Sequence, residues 1–381
     1  MIKKKILFIL LFLFMPIINV KGEELNLAAS AGSAILIEST TGKVLYERNA
    51  HEKMAPASMT KIMTMLLIME SIDEGKISLD QNINISANAA SMGGSQVFLE
   101  PNTQMKANEL IKSIAIASAN DAAVAMAETI SGTTDAFVKK MNEKCKALGC
   151  ENTSFVNVHG LDDPNHYSTA KDMSLIASEL LKHEDILKYT SIYEEYLKKP
   201  DGSTTWMVNT NKLIRFYNGL DGLKTGYTKN AGYCLTATAK RNGMRLISVL
   251  MKEPTSQVRN SETVELLNYG FSNYKIKTII EKEKSLGEVE VVDGKKEKVM
   301  IKLKDAATAL EKINDEKNYS YNINVDKIKA PVKVGDVIGY LEITENGTII
   351  KNVDITVTEN VNKANIWDLY KRYFKKVLSG N

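Results

Sequence analysis

Ser58 and Lys61 stand three residues apart in Pro56-Ala57-Ser58-Met59-Thr60-Lys61-Ile62-Met63-Thr64. On a helix that spacing puts both side chains on one face. A serine hydroxyl is a weak nucleophile until an adjacent base takes its proton, and a buried lysine is such a base. Pro56 sits just ahead of the helix start, and the apolar run 62–69 carries the helix inward. Alone, S-x-x-K recurs by chance in a Lys-rich chain. Two further groups follow it in order: Ser118-Ala119-Asn120, and Lys224-Thr225-Gly226. S-x-N also arises by chance and K-T-G less often, but the three in this order and setting do not. A hydroxyl, an amide, two lysines and a Gly-relieved backbone suit acyl transfer to serine.

The elements that must position these groups follow from the pattern. Residues 33–39 (SAILIES) predict a strand, 40–43 a turn and 44–46 the return strand of a hairpin. The Ser58 helix comes next. Residues 87–102 form a Gly/Ser-rich loop containing Met92-Gly93-Gly94-Ser95, suited to the rim of a cleft. Apolar helical runs over 107–117 and 121–130 leave Ser118-Ala119-Asn120 at the break between them, where its side chains can project into that cleft. A helix over 134–148 stops at Gly149. The loop His159-Gly160-Leu161-Asp162-Asp163-Pro164 precedes a helix that runs from an N-cap at Thr169 to His183, with Asp172 placed to support the cap. Residues 191–222 show no clear period. Strands over 233–238 and 245–251 are joined at Arg241-Asn242-Gly243, a hairpin signal. Residues 255–271 read as a closing helix packed on the sheet.

These motifs resemble those of the serine D-alanyl-D-alanine carboxypeptidases, the low-molecular-mass penicillin-binding proteins. The nucleophile segment 56–64 has the family's form, as do Asp221-Gly222-Leu223-Lys224-Thr225-Gly226-Tyr227-Thr228 and Ala231-Gly232-Tyr233-Cys234-Leu235. His159-Gly160-Leu161 and His166-Tyr167-Ser168-Thr169-Ala170 fit its middle region. The resemblance covers essentially the whole chain. It implies an α+β fold of the β-lactamase/transpeptidase type, with an antiparallel sheet flanked by helices, then a small mostly-β domain and a C-terminal amphipathic helix. It implies removal of the terminal D-alanine from peptidoglycan stem peptides, with β-lactams as covalent inhibitors. Ser58 would form the acyl-enzyme, Lys61 would be its base beside the second cation Lys224, and Ser118 would relay the proton to the leaving nitrogen. Asn120 would hold the substrate amide, and backbone N–H groups of Ser58 and Tyr227 would form the oxyanion hole. Lys224 and the Thr225 hydroxyl would receive the terminal carboxylate, Gly226 would let substrate lie along the strand, and Arg259 would add a bidentate carboxylate contact. His159 and His166 would be structural.

Neighbouring activities make different demands. A class A β-lactamase uses an extra glutamate to activate the deacylating water, and no recognisable form of that motif lies between Ser118 and Lys224; the second motif is S-A-N rather than S-D-N. A non-catalytic wall-binding protein would be expected to lose Ser58, Lys61 or Lys224. Transpeptidase or endopeptidase action would use the same acyl-enzyme.

The 381-residue chain has room for two ordinary domains. Its net charge of +3 includes four lysines among the first 22 residues, so the remainder carries −1 and nothing points to nucleic acid. Lys3 to Lys5, an apolar stretch over 6–20 and small residues before Glu23 describe a signal peptide over 1–22 and hence export. A catalytic domain is expected over 23–274. After Tyr274 short β-like runs alternate with Lys/Glu and Gly turns, giving a small β-rich domain over 275–361. Residues 362–381 place Ile366, Trp367, Leu369, Tyr370, Tyr373, Phe374, Val377 and Leu378 on one helical face, with Lys371, Arg372, Lys375 and Lys376 opposite. That pattern suits a helix lying in a membrane interface, holding the enzyme peripherally at the outer face of the bacterial membrane. Cys145 and Cys150 fit either a disulfide or two thiols. The four histidines lack metal-ligand spacing, and no metal or other cofactor is expected.

Overall fold

The computed structural model describes residues 25–379, so the leader expected over 1–22 lies outside the described residues. The opening hairpin pairs β1 (Ser33–Glu38) with β2 (Val44–Arg48). A 3-10 turn, Ala57–Thr60, carries Ser58 directly into α1 (Lys61–Asp73). Ten of the thirteen α1 residues are buried, which makes it the central helix of the core rather than an amphipathic surface one. A ribbon of β3 (Asn82–Asn84) and β4 (Gln104–Lys106) brackets α2 (Ala87–Ala90). α3 (Ala107–Ile116) and α4 (Asn120–Ser131) meet at the break read from the sequence. α5 (Thr134–Ala147) ends before Gly149, whose φ of +80° suits glycine.

Thr169 caps α6 (Ala170–Leu180) by accepting from the Asp172 N–H. The Asp172 carboxylate does not support that cap as expected. It accepts instead from the Glu151 and Asn152 N–H groups and the Thr153 hydroxyl, three donors that converge on it from the loop after α5. After α7 (Leu187–Thr190), the aperiodic stretch contains a hairpin of β5 (Glu194–Lys198) and β6 (Thr204–Val208), then the single turn α8 (Leu213–Phe216).

β7 (Leu220–Thr228), β8 (Gly232–Arg241) and β9 (Met244–Glu253) complete a five-stranded antiparallel sheet in the order β2-β1-β9-β8-β7. Asn242 and Gly243 at φ +48° and +79° form the tight turn between β8 and β9. The sequence reading sets Lys224-Thr225-Gly226 ahead of the strand pair; the structure puts them inside a third strand, at the sheet edge. β7 is buried along most of its length, so the two-residue alternation that would mark it is missing. Thr255 caps α9 (Ser256–Asn273). The sheet separates two apolar cores: Ile35 and Ile37 join the one built around α1, α3 and α4, while Ala34 and Leu36 join the one under α9.

β10 (Tyr274–Ile280) starts where α9 stops, with no Gly or Pro between them to signal a strand. β11 (Glu288–Val292), β12 (Lys298–Leu303), β13 (Ala307–Lys312), β14 (Tyr319–Asn324), β15 (Ile328–Lys329), β16 (Gly339–Glu345) and β17 (Thr348–Val357) follow. β10 pairs with β13, and the other six form a sheet in the order β14-β16-β17-β12-β11-β15 over a separate core that includes Leu303, Leu341, Ile343 and Ile355.

α10 (Ile366–Ser379) leaves Ile366, Trp367, Leu369, Tyr370 and Phe374 exposed. Arg372 donates to the Gly294 and Lys295 carbonyls and pairs with Glu297 at 3.0 Å. The side chains of Tyr373, Lys375, Lys376, Val377 and Leu378 lie outside the described set. Among the described residues no helix is long and apolar enough to cross a membrane. Cys145, Cys150 and Cys234 are unbonded.

Candidate active site

The Lys61 ammonium nitrogen is enclosed by three oxygens: Ser58 Oγ at 3.1 Å, Asn120 Oδ1 at 2.6 Å and the His159 carbonyl at 2.8 Å. Burial, then the charge of Lys224, hold its pKa well below the ordinary lysine value, while Asp121 pulls the other way. The geometry decides what the neutral amine does. It keeps two N–H bonds and one lone pair, and two of its three neighbours are carbonyl oxygens that can only accept. The N–H bonds go to Asn120 and His159, leaving the lone pair for the Ser58 hydroxyl proton.

The break between α3 and α4 is a strained turn. Ser118 has φ +62°, a conformation rare for a residue with a side chain. Its buried Oγ has no hydrogen-bond partner among the described residues. Asn120 is fully engaged: Oδ1 receives Lys61, Nδ2 donates to the Gly93 carbonyl at 2.6 Å, and its backbone N–H donates to Ser95 at 2.7 Å. In this arrangement Asn120 fastens the base to the Gly-rich loop, a duty that a substrate-amide role does not include. A Cβ on Gly94 would lie 2.8 Å from Asn120 Nδ2, so the loop approaches only as glycine. Asp121 is buried, and its carboxylate accepts from the Val97 and Leu99 N–H groups. Nothing in the sequence reading singled it out beside Asn120.

The opposite wall is the β7 edge. Lys224 is buried and its Nζ donates to the Thr225 carbonyl at 3.2 Å; burial and then the Arg259 charge lower its pKa to about 7. Thr225 Oγ1 donates to Thr210 Oγ1 at 2.6 Å, a partner from the aperiodic stretch that no local pattern marks. Gly226 also meets a demand that the sequence does not show. A Cβ there would stand 2.8 Å from the Pro56 carbonyl and 3.2 Å from the Met59 nitrogen, so its absence lets β7 press against the nucleophile turn. Tyr227 is 57 % exposed, and its ring packs on Tyr233 at 4.4 Å. Arg259 on α9 is buried, donates to Asn260 Oδ1, and has no carboxylate within ion-pair distance among the described residues.

His166 supports the turn from behind. Nδ1 accepts from the Val156 N–H at 3.1 Å, so the ring proton sits on Nε2 and is given to Thr60 Oγ1 at 2.7 Å; Thr60 in turn donates to the Ala57 carbonyl. Burial lowers the pKa of both His159 and His166 to about 4, keeping them neutral, as a structural role requires. Gly160, at φ +91°, packs so closely that a Cβ would fall 1.9 Å from the Ala57 oxygen. Among the described residues no group of His, Cys, Asp or Glu is arranged to hold a metal.

A serine 3.1 Å from a buried lysine, beside an edge strand that carries a second buried lysine and near an arginine on α9, fits an acyl-serine peptidase or transferase on a helix-flanked antiparallel sheet. The comparisons agree. Residues 20–255 match the D-alanyl-D-alanine carboxypeptidase family, peptidase S11, and residues 274–363 match the penicillin-binding protein 5 C-terminal domain. D-alanyl-D-alanine carboxypeptidase DacF of Bacillus subtilis is 46 % identical over 349 residues, covering 91 % of this chain and 90 % of that one. DacC of Escherichia coli is 34 % identical, covering 96 % and 94 %. Among solved structures, penicillin-binding protein 5 from Haemophilus influenzae superposes with a TM-score of 0.69 at 32 % identity over 88 % of this chain and 98 % of that one. Penicillin-binding protein D2 from Listeria monocytogenes, solved in an ampicillin-bound form, gives 0.58 at 33 % identity over 65 % of this chain and 100 % of its own. The chain belongs to the serine D-alanyl-D-alanine carboxypeptidases of the low-molecular-mass penicillin-binding type.

Proposed function

We propose that this carboxypeptidase trims peptidoglycan stem peptides through a Ser58 acyl-enzyme, with each catalytic role carried by the residues that the motifs mark. The observation that carries the reading is the enclosure of Lys61 Nζ by Ser58 Oγ at 3.1 Å, Asn120 Oδ1 and the His159 carbonyl; two of the three can only accept, so a neutral amine gives them its N–H bonds and turns its lone pair to Ser58 Oγ. Ser58 Oγ attacks the carbonyl of the penultimate D-alanine as its proton passes to Lys61. Backbone N–H groups of Ser58 and Tyr227 stabilise the oxyanion, a contribution of about two to three powers of ten per donor. The peptide C–N bond then breaks, and the Lys61 proton reaches the departing D-alanine nitrogen through Ser118, whose hydroxyl has no competing partner among the described residues. Water, deprotonated by Lys61, releases the shortened peptide. Lys224, the Thr225 hydroxyl and Arg259 hold the terminal carboxylate, which favours a free C-terminus. β-Lactams acylate Ser58 in the same way; the ampicillin-bound form of the Listeria relative supports this. D-Alanine release from a D-Ala-D-Ala-terminated peptide tests the assignment: Ser58→Ala should lower it by about 10⁴-fold or more, and near-native release would refute it.

Export through a cleaved leader over 1–22, and peripheral attachment through α10, complete the reading. The exposed Trp367, Tyr370 and Phe374 support an interfacial helix. Arg372 is tied to 294–297, so Lys371 rather than Arg372 is the basic residue we assign to anionic lipid.

A further inference from the structure

Glu253, the last residue of β9, is buried, and neither carboxylate oxygen meets a hydrogen-bond donor among the described residues. It lies within hydrogen-bonding reach of Glu262 on α9. Glu262 already has a donor, since both of its oxygens accept from the Ser30 N–H at 3.0 and 3.3 Å. Two ionised carboxylates cannot hydrogen-bond to each other, whereas a proton on one of them makes the bond and removes the repulsion. The unserved partner, Glu253, is therefore the one that carries the proton.

The groups facing Glu253 connect this pair to the substrate side. Arg259 and Glu262 come from α9, Arg48 comes from β2, and on β8 Tyr233 is its register partner with Cys234 next to it. Arg259 is the cation whose charge bears on Lys224. An anionic Glu253 would neutralise Arg259; a protonated one leaves it free.

We infer that Glu253 is a positioning residue: kept neutral by the proton it shares with Glu262, it leaves the Arg259 guanidinium uncompensated, so that Arg259 presents its charge to the terminal carboxylate of the substrate. The inference rests on the proposed carboxylate role of Arg259. Burial first, then Glu262, push the Glu253 carboxyl up to about 8. Above that pH it ionises and its charge offsets that of Arg259, which weakens the hold on substrate, an effect on KM rather than on kcat.

The experiment compares KM–pH profiles of the full-length enzyme and its Glu253→Gln variant between pH 6 and 10. The substrates are a D-Ala-D-Ala-terminated peptide and the same peptide with a C-terminal carboxamide. For the carboxylate peptide, wild type should show a KM rise of about threefold to tenfold centred near pH 8, absent in Glu253→Gln and absent for the carboxamide. The titration of Lys224 near 7 is common to both proteins and cancels in the comparison. Glu262→Gln keeps a hydrogen-bonding partner but removes the neighbouring charge, and should move the rise to lower pH; it also serves as the test if Glu253→Gln does not fold. Infrared spectra at pH 7 should show a protonated-carboxyl C=O band in wild type that Glu253→Gln lacks. Arg259→Gln separates the two layers. If it leaves KM for the carboxylate peptide unchanged, the reading of Arg259 is wrong. If it raises KM while wild type and Glu253→Gln give superimposable profiles, or if the infrared band is missing, the inference about Glu253 is overturned.

Discussion

At the scale of single residues, the site is a matter of which atoms have nowhere else to go. Lys61 has two acceptors that cannot donate and one hydroxyl that can. Ser118 Oγ has no partner among the described residues. Asp121 shows how a residue without chemistry of its own bears on the base. Its charge raises the Lys61 pKa against burial and Lys224, which lower it. The base works only when deprotonated, so activity falls as pH drops through the Lys61 pKa. Asp121→Asn removes the opposing charge and should move the acidic limb of kcat/KM to lower pH. Because Val97 and Leu99 lose their carboxylate acceptor, the maximum should also fall, by about tenfold. A pH–rate profile checks both, and a limb that stays put or moves upward would show that Asp121 does not act on Lys61.

At the scale of elements, the site depends on close approach of backbones. Glycines at 94, 160 and 226 each occupy a point where a Cβ would strike Asn120, the Ala57 carbonyl or the Pro56 carbonyl. Gly226→Ala should push β7 away from the nucleophile turn by a few tenths of an ångström or more and lower kcat/KM by about 10²-fold, while thermal unfolding shifts little because the strand can give at the sheet edge. A variant with near-native kcat/KM would show that the close approach is dispensable. Much of this level was legible in advance. The opening hairpin, the break at Ser118, the Thr169 cap and the Asn242-Gly243 turn announce themselves through local chemistry that the structure reproduces. What escaped has a physical reason. β7 is buried too completely to alternate, β10 follows α9 without punctuation, and the partners of the motif residues, such as Asp121, Thr60, Thr210 and Gly160, are set by tertiary contact alone.

At the scale of the whole molecule, the three motifs are spread over more than 160 residues of sequence yet meet around one amine, because the sheet and α1 bring the chain back twice to the same point. That convergence was recognisable as a family pattern, whereas the orientation of Asn120 toward Lys61 was not. The C-terminal helix belongs to this scale as well. Removing residues 365–381 should release an enzyme with unchanged D-alanine release from membranes to the soluble fraction; continued pelleting with vesicles containing anionic lipid would contradict the interfacial role of α10.

The central claim, that Ser58 is an acylated nucleophile, is tested most directly by mass spectrometry after incubation with penicillin. The account predicts a single adduct of one β-lactam, confined to the peptide containing Ser58, slow to hydrolyse and absent in Ser58→Ala. An adduct that survives in Ser58→Ala, or rapid turnover of penicillin with no lasting adduct, would contradict it.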